Sequence, residues 1–221
     1  MGFAPVKEKF MAYKYEQIPG WFNYSNIFEK ALFAMPNNGV GVELGTYLGK
    51  SACYLAERSQ ESCKPINIYT VDIFPDKHLG GKDPYLEPKI KNPKKLSFKE
   101  LAVDYLLSAG VLDKIKIIDS LTSDAASLFE PDSVDFLWVD ADHSYEGVLK
   151  DLTAWFPKMK PRGFISGHDY NIESVKSAVD DFFSNHNIRV ESRVSWEGWY
   201  VKPGTQLKEC CNITEYGCIV F

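Results

Sequence analysis

The chain has 221 residues, a formal net charge of −5, 45% hydrophobic and 25% charged residues. That length and balance suit one α/β domain with a large core and require no second one, and the acidic surplus argues against a nucleic-acid footprint over the whole surface. No run of about 18 apolar residues is present to span a membrane, and the opening MGFAPVKEKFMAYKYEQ lacks the apolar segment of a signal peptide, so a cytoplasmic protein is expected.

In chain order, Tyr15–Met35 holds the segment IPGWF and then a helix, with Ile27, Phe28, Ala31 and Leu32 at helical spacing and Pro36-Asn37-Asn38-Gly39 ending it. Trp21 and Phe22 fall where an N-terminal cover could line a cleft, although core packing is the commoner role for such residues. Val40–Ser51, VGVELGTYLGKS, then reads as a strand, a glycine turn and the start of a helix, Ser51–Arg58. Glycines let the backbone approach a ligand closely, and a helix N-terminus offers unpaired N–H groups. Gly49-Lys50-Ser51 imitates the end of a P-loop, but Gly45 and Gly49 enclose three residues where a P-loop needs four. Glu43, Gly45 and Gly49 instead resemble the E-x-G-x-x-x-G turn of class I S-adenosylmethionine-dependent methyltransferases.

The next strand, Ile66–Phe74, carries one acid near its end, Asp72, 23 residues after Gly49 (72 − 49). A doubly wound nucleotide-binding unit places the carboxylate for ribose hydroxyls roughly 20 residues on; a turn-capping role is the alternative. Asp76–Lys99 is irregular, with seven lysines, three acids, three prolines and Gly80-Gly81. A loop this long is usually functional or disordered, and residues 76–97 are expected to form a lid carrying Lys91, Lys94 and Lys95, with a solvated surface insertion that touches no ligand as the equal alternative. Helices at Ser97–Ala109, Leu121–Phe129, Tyr145–Met159 and Ile172–Asn185 then alternate with strands at Lys114–Asp119, Val134–Asp140 and Gly163–Gly167. Ile188–Val194 and Trp196–Val201 read as an antiparallel pair at one edge. The expected fold is a single Rossmann-like doubly wound α/β domain: a mostly parallel seven-stranded sheet with an antiparallel edge strand and helices on both faces. Residues 1–38 would be a helical cover, 39–201 the core and 202–221 a tail.

The tail matches two short motifs by chance: Asn212-Ile213-Thr214 as a glycosylation acceptor and Cys218–Phe221 as a prenylation box without a polybasic segment. Cys53, Cys63, Cys210, Cys211 and Cys218 lack zinc-site spacing and are expected to be reduced thiols. Whether the tail pairs two copies into a homo-oligomer stays open.

Ligands of open α/β sheets bind beyond the carboxyl ends of the strands. Those ends read Glu43 with Gly45, then Asp72, Asp119-Ser120, Asp140 to His143, and His168-Asp169. Any single acid there is as well explained as a helix cap. VELGTYLGKS, VDIF, VDADHSYEGVLKDL and GFISGHDY, in this order, resemble the class I methyltransferase superfamily, and more narrowly the small-molecule O-methyltransferases that include the macrocin-type sugar methyltransferases. The resemblance implies S-adenosylmethionine over Gly45–Gly49, with Glu43 near its methionine portion, Asp72 on the ribose, and Asp119 and Ser120 at the adenine. The implied cofactor set is Glu43, Gly45, Thr46, Tyr47, Gly49, Ser51, Asp72, Ile73, Asp119, Ser120 and Asp140. Some relatives hold a divalent cation such as Mg, for which the matching residues are Asp140, His168 and Asp169. An imidazole at the second place suits a softer metal than Mg.

Methyl transfer to oxygen needs a hydroxyl held in line with the methyl group and a partner to take its proton. His143, three residues after Asp140, is the expected base, since an unperturbed histidine titrates near pH 6.5; capping of the next helix is the alternative. The leading expectation is an O-methyltransferase of a small hydroxylated molecule, a sugar among the candidates, with Asp140 and His143 catalytic. A protein that binds the cofactor without catalysis and an NAD-type enzyme are the alternatives, the latter disfavoured by the three-residue gap between the glycines.

Overall fold

The computed structural model describes residues 14–75, 90–193 and 198–201. The strands β1 (Gly39–Leu44), β2 (Ile66–Asp72), β3 (Ile115–Asp119), β4 (Val134–Val139), β5 (Met159–Gly167), β6 (Glu191–Arg193) and β7 (Gly198–Val201) form one sheet in the order β3-β2-β1-β4-β5-β7-β6. The first five are mutually parallel. β7 runs antiparallel to both β5 and β6. The expected antiparallel pair at one edge is β7 with β6; β7 is the reversed strand, and β6 outside it runs with the parallel set.

Period-two alternation divides the core. Ile68, Phe136 and Trp138 point to the face covered by α1 (Ser25–Ala34), α2 (Lys50–Glu61) and α3 (Phe98–Ala109). Val42, Leu44, Leu137 and Val139 point to the opposite face, under α4 (Thr122–Ala125), α5 (Tyr145–Trp155) and α6 (Glu173–Asn185). Burying side chains such as Phe28, Phe136 and Trp138, all fully enclosed, contributes about 1.5–3 kcal/mol each. The helix starts follow local chemistry. Ser97 and Glu100 make a reciprocal capping box at α3, and the Ser144 hydroxyl accepts from the Gly147 N–H at α5.

Two boundaries differ from the expected ones. α5 stops at Trp155, because Pro157 leaves only a short 3-10 turn, and β5 begins at Met159 rather than Gly163. The register shift between Val134 and Phe136 accommodates Pro161 within that strand. β2 ends at Asp72, since Phe74 has a left-handed backbone (φ 45°). Residues 76–89, most of the expected lid, and the tail from 202 lie outside the described residues. Of the lid lysines, Lys94 is paired with Asp104 of α3 at 2.6 Å. Among the described residues no helix is long and apolar enough to cross a membrane.

Candidate active site

The parallel register brings the predicted residues to one rim. Asp72 pairs with Asp119, Leu44 with Val71 and Val139, and Val139 with Gly167. Just beyond, each exiting chain is stitched to its neighbour: Ser120 N donates to Asp72 O, Gly45 N to Val71 O, Asp140 N to Leu44 O and His168 N to Val139 O. The strand order reverses between β1 and β4, the switch point where ligands of such sheets bind.

The glycine turn is fitted to that point. Gly45 has φ 95°, and a Cβ on it would lie 1.9 Å from the Asp140 carbonyl oxygen, so only glycine allows the turn to pass the exit of β4. Gly49 (φ 84°) is the N-cap of α2, where a Cβ would meet Leu106 at 2.9 Å. Between them Tyr47 is also left-handed (φ 49°) and gives its N–H to Asp72 Oδ2 at 3.0 Å, while Phe74 N donates to Asp72 Oδ1 at 2.7 Å. Such conformations cost roughly 1–3 kcal/mol each and concentrate at functional sites.

One pleat row below lies a buried polar set. Thr70, Glu43, Trp138 and Ser166 are register partners on neighbouring strands. Glu43, 5% exposed, accepts from Ser51 Oγ at the start of α2 and from Thr70 Oγ1 at 2.9 Å; Thr70 in turn shares a hydrogen bond with Thr46 at 2.6 Å. Burial pushes the Glu43 carboxyl up to about 8, against hydrogen bonds from Ser51 and Thr70 that act the other way. Glu43 is thus a neutral, enclosed acid near pH 7, and it serves the turn through Ser51 and the threonines.

The β4–β5 half is built differently. His143 Nε2 stands 3.1 Å from Asp169 Oδ2 and 3.6 Å from Asp140 Oδ1. Asp140, with Asp169 and Asp142 behind it, raises the His143 pKa above the ordinary histidine value, burial opposing. Asp169 is the nearer carboxylate, and the two acids act together on the ring. Burial works against charge on Asp169, but the His168 hydrogen bond and the two histidines hold its carboxyl below the usual range. His168 Nδ1 is 3.2 Å from Asp169 Oδ1 and 3.9 Å from Asp140 Oδ1. Asp169 itself has a left-handed backbone (φ 55°).

Donor atoms of Asp140, His143 and Asp169 lie within 4.8 Å of one another, a set able to hold a metal ion. That set holds two of the expected ligands, Asp140 and Asp169, with His143; the third, His168, stands beside the same two acids with its ring packed against Tyr24 (4.8 Å between centroids) and Trp138. Two carboxylates and one imidazole fit a borderline divalent ion. At the far end of the rim, Asp119 is exposed and paired with Lys99 at 3.0 Å, and the Ser120 hydroxyl donates to Leu121 O. Ile73 and Leu121, 52% and 51% exposed, present apolar surface at the exits of β2 and β3.

Three contributors had no distinct signal in the sequence. Thr70 looks like any β-branched strand residue, and Trp138 like core. Tyr24 belongs to the N-terminal cover, yet it is 3% exposed, stacks on Trp138 at 4.3 Å and directs its hydroxyl at Asp140 Oδ2, 3.4 Å away.

A doubly wound sheet with a glycine turn at its switch point and strand-end acids on both sides is the architecture of a class I methyltransferase fold. Residues 42–170, more than half of the chain, match the family model described as a methyltransferase domain, and the chain belongs to that family. A curated relative, an uncharacterized protein of Sinorhizobium fredii named y4gI, is 29% identical over 134 residues, covering 59% of this chain and 13% of that protein, so this chain spans about an eighth of its relative's length. Among solved structures, the SAH-bound methyltransferase PaMTH1 of Podospora anserina aligns with a TM-score of 0.60 at 13% identity, over 86% of this chain and 81% of that one. CalS11, a TDP-rhamnose 3'-O-methyltransferase of calicheamicin biosynthesis, aligns with a TM-score of 0.54 at 15% identity, over 81% and 77%.

Proposed function

We propose that this methyltransferase takes its methyl group from S-adenosylmethionine and transfers it to a hydroxyl of a small molecule, a sugar or sugar-bearing metabolite being the favoured acceptor. The observation that supports the proposal is the close approach of Gly45 to the Asp140 carbonyl, which sets the glycine turn beside the Asp140–His143–Asp169 cluster. The cofactor would lie over Gly45–Gly49, with its ribose at Asp72 and its adenine between Ile73 and Ser120. Glu43, Thr46 and Ser51 would shape the turn beneath its methionine end. CalS11, with the same fold, acts on a nucleotide-linked sugar, which favours a sugar acceptor.

The acceptor hydroxyl would approach between the turn and His143. His143 Nε2 takes the hydroxyl proton as oxygen attacks the methyl group, and the Asp140 and Asp169 carboxylates stabilise the imidazolium that results. The reaction balances: the sulfonium loses its methyl, the oxygen gains it, and the proton passes to His143 and then to solvent, to which that side chain is 44% exposed. A divalent ion, if the enzyme uses one, would be held by Asp140 and Asp169 with one histidine, and would supply a lower hydroxyl pKa. One nitrogen cannot be both base and ligand, so a metal on His143 Nε2 would exclude that atom as base.

The test combines calorimetry of S-adenosylhomocysteine binding with labelled-methyl transfer to a panel of free sugars, nucleotide-linked sugars and phenols, before and after EDTA dialysis. Micromolar binding and transfer to a sugar hydroxyl are expected. Binding without transfer to any hydroxyl defeats the enzymatic proposal, and full turnover after EDTA removes the metal from it.

A further inference from the structure

Tyr24 precedes the family-matched residues 42–170, yet it sits in the middle of the site. The N-terminal segment reaches it under restraint: Glu57 of α2 accepts from the N–H groups of Lys14 (2.9 Å) and Tyr15 (3.1 Å), and Ile18 is buried. Trp21 comes beside Tyr47 of the glycine turn (6.2 Å between centroids), and Phe22 packs against Tyr24 (4.8 Å). The segment therefore runs across the rim from the cofactor turn to the Asp140 cluster.

We infer that Tyr24 is a positioning residue for Asp140, and that the N-terminal segment is thereby a working part of the active site; this rests on the function proposed above. Asp140 Oδ2 is held by two neutral donors, Tyr24 Oη–H and Trp138 Nε1–H, each at 3.4 Å, which leaves Oδ1 turned toward His143 and His168. Of these two donors to Oδ2, Tyr24 comes from outside the sheet. Its ring cannot swing away, being stacked on Trp138 and flanked by His168, Phe22 and Phe28. Its single proton is directed to Asp140. Burial, with the nearby Asp140 charge, raises the Tyr24 phenol well above its ordinary value, so it remains a donor in the working range.

The test is a double-mutant cycle with Tyr24→Phe, which keeps the ring, and Asp140→Asn. In the wild-type background Tyr24→Phe is expected to lower kcat roughly tenfold, the scale of one lost hydrogen bond to a charged group, with KM for cofactor and acceptor and the affinity for S-adenosylhomocysteine within twofold. In the Asp140→Asn background the same change is expected to cost less than twofold, since the charged acceptor is already gone. Additive losses, or a Tyr24→Phe enzyme with wild-type kcat, overturn the inference. The melting temperatures of the same four proteins form a second cycle that needs no turnover. Non-additivity there supports the Tyr24–Asp140 linkage even if no acceptor is methylated, a result that would sink only the proposed activity, and additivity refutes the linkage independently.

Discussion

The two halves of the rim use acids in opposite ways. On the β1–β2 side the carboxylates are supplied with donors by their own chain: Asp72 by the Tyr47 and Phe74 N–H groups, Glu43 by Ser51 and Thr70. On the β4–β5 side the outward oxygens of Asp140 and Asp169 turn to His143 and His168. The first arrangement fixes a backbone turn and leaves little to change in a reaction. The second gathers groups that share protons, where a proton or a metal ion determines the charge. On the proposed function the former would hold the cofactor and the latter would move the proton, and the close approach of Gly45 to Asp140 joins them.

Breaking that contact should have the largest effect. Gly45→Ala forces a Cβ to 1.9 Å from the Asp140 oxygen at a positive φ, and a loss of about 2–4 kcal/mol is expected, read as a large fall in melting temperature; an unchanged melt would mean that the halves are not packed as described. His143→Ala should affect the reactive half alone. Turnover should fall roughly 10²–10⁴-fold while S-adenosylhomocysteine affinity stays within twofold by calorimetry, and retained turnover would take the base role from this residue.

The holding half should respond in the reverse sense. Asp72→Asn weakens the acceptor for two backbone N–H groups and, on the proposed function, for the ribose hydroxyls, so cofactor affinity should fall roughly tenfold, about 1.4 kcal/mol, with kcat at saturating cofactor little altered. Equal losses in affinity and kcat would blur the distinction between the halves. The smallest effect concerns pH. The folded protein keeps a proton on Glu43 up to about 8, from an ordinary value of 4.5, so the unfolded chain binds fewer protons between those limits. Stability from this group is complete below about 4.5 and declines as pH rises through 8, by at most about 1.4 kcal/mol per pH unit. Glu43→Gln, with no proton to release, should flatten the decline in denaturant titrations from pH 5 to 8; an identical slope would show that the acid is not held neutral.

Much of this was legible in the residues. The alternation of strands and helices, the glycine turn and the row of strand-end acids follow from periodicity and turn chemistry, which act over a few residues. Asp72, Asp140, His143 and Asp169 stood out because polar groups at the ends of apolar strands are conspicuous. The early start of β5 was hidden by Pro161, which reads as a loop residue until a register shift makes room for it.

By itself the sequence determined which segments become strands and helices, and that several acids would end at one edge of a parallel sheet, since each depends on local backbone preference and on the direction side chains take along a strand. Only the tertiary structure decided which acids are held by their own backbone and which face a histidine, that β7 enters the sheet inside β6, and that Tyr24 lies on Asp140, 116 residues away. Those outcomes depend on strand order, on register and on packing between distant segments, where the partner of a polar group is set by the folded neighbourhood and not by the residues beside it in the chain.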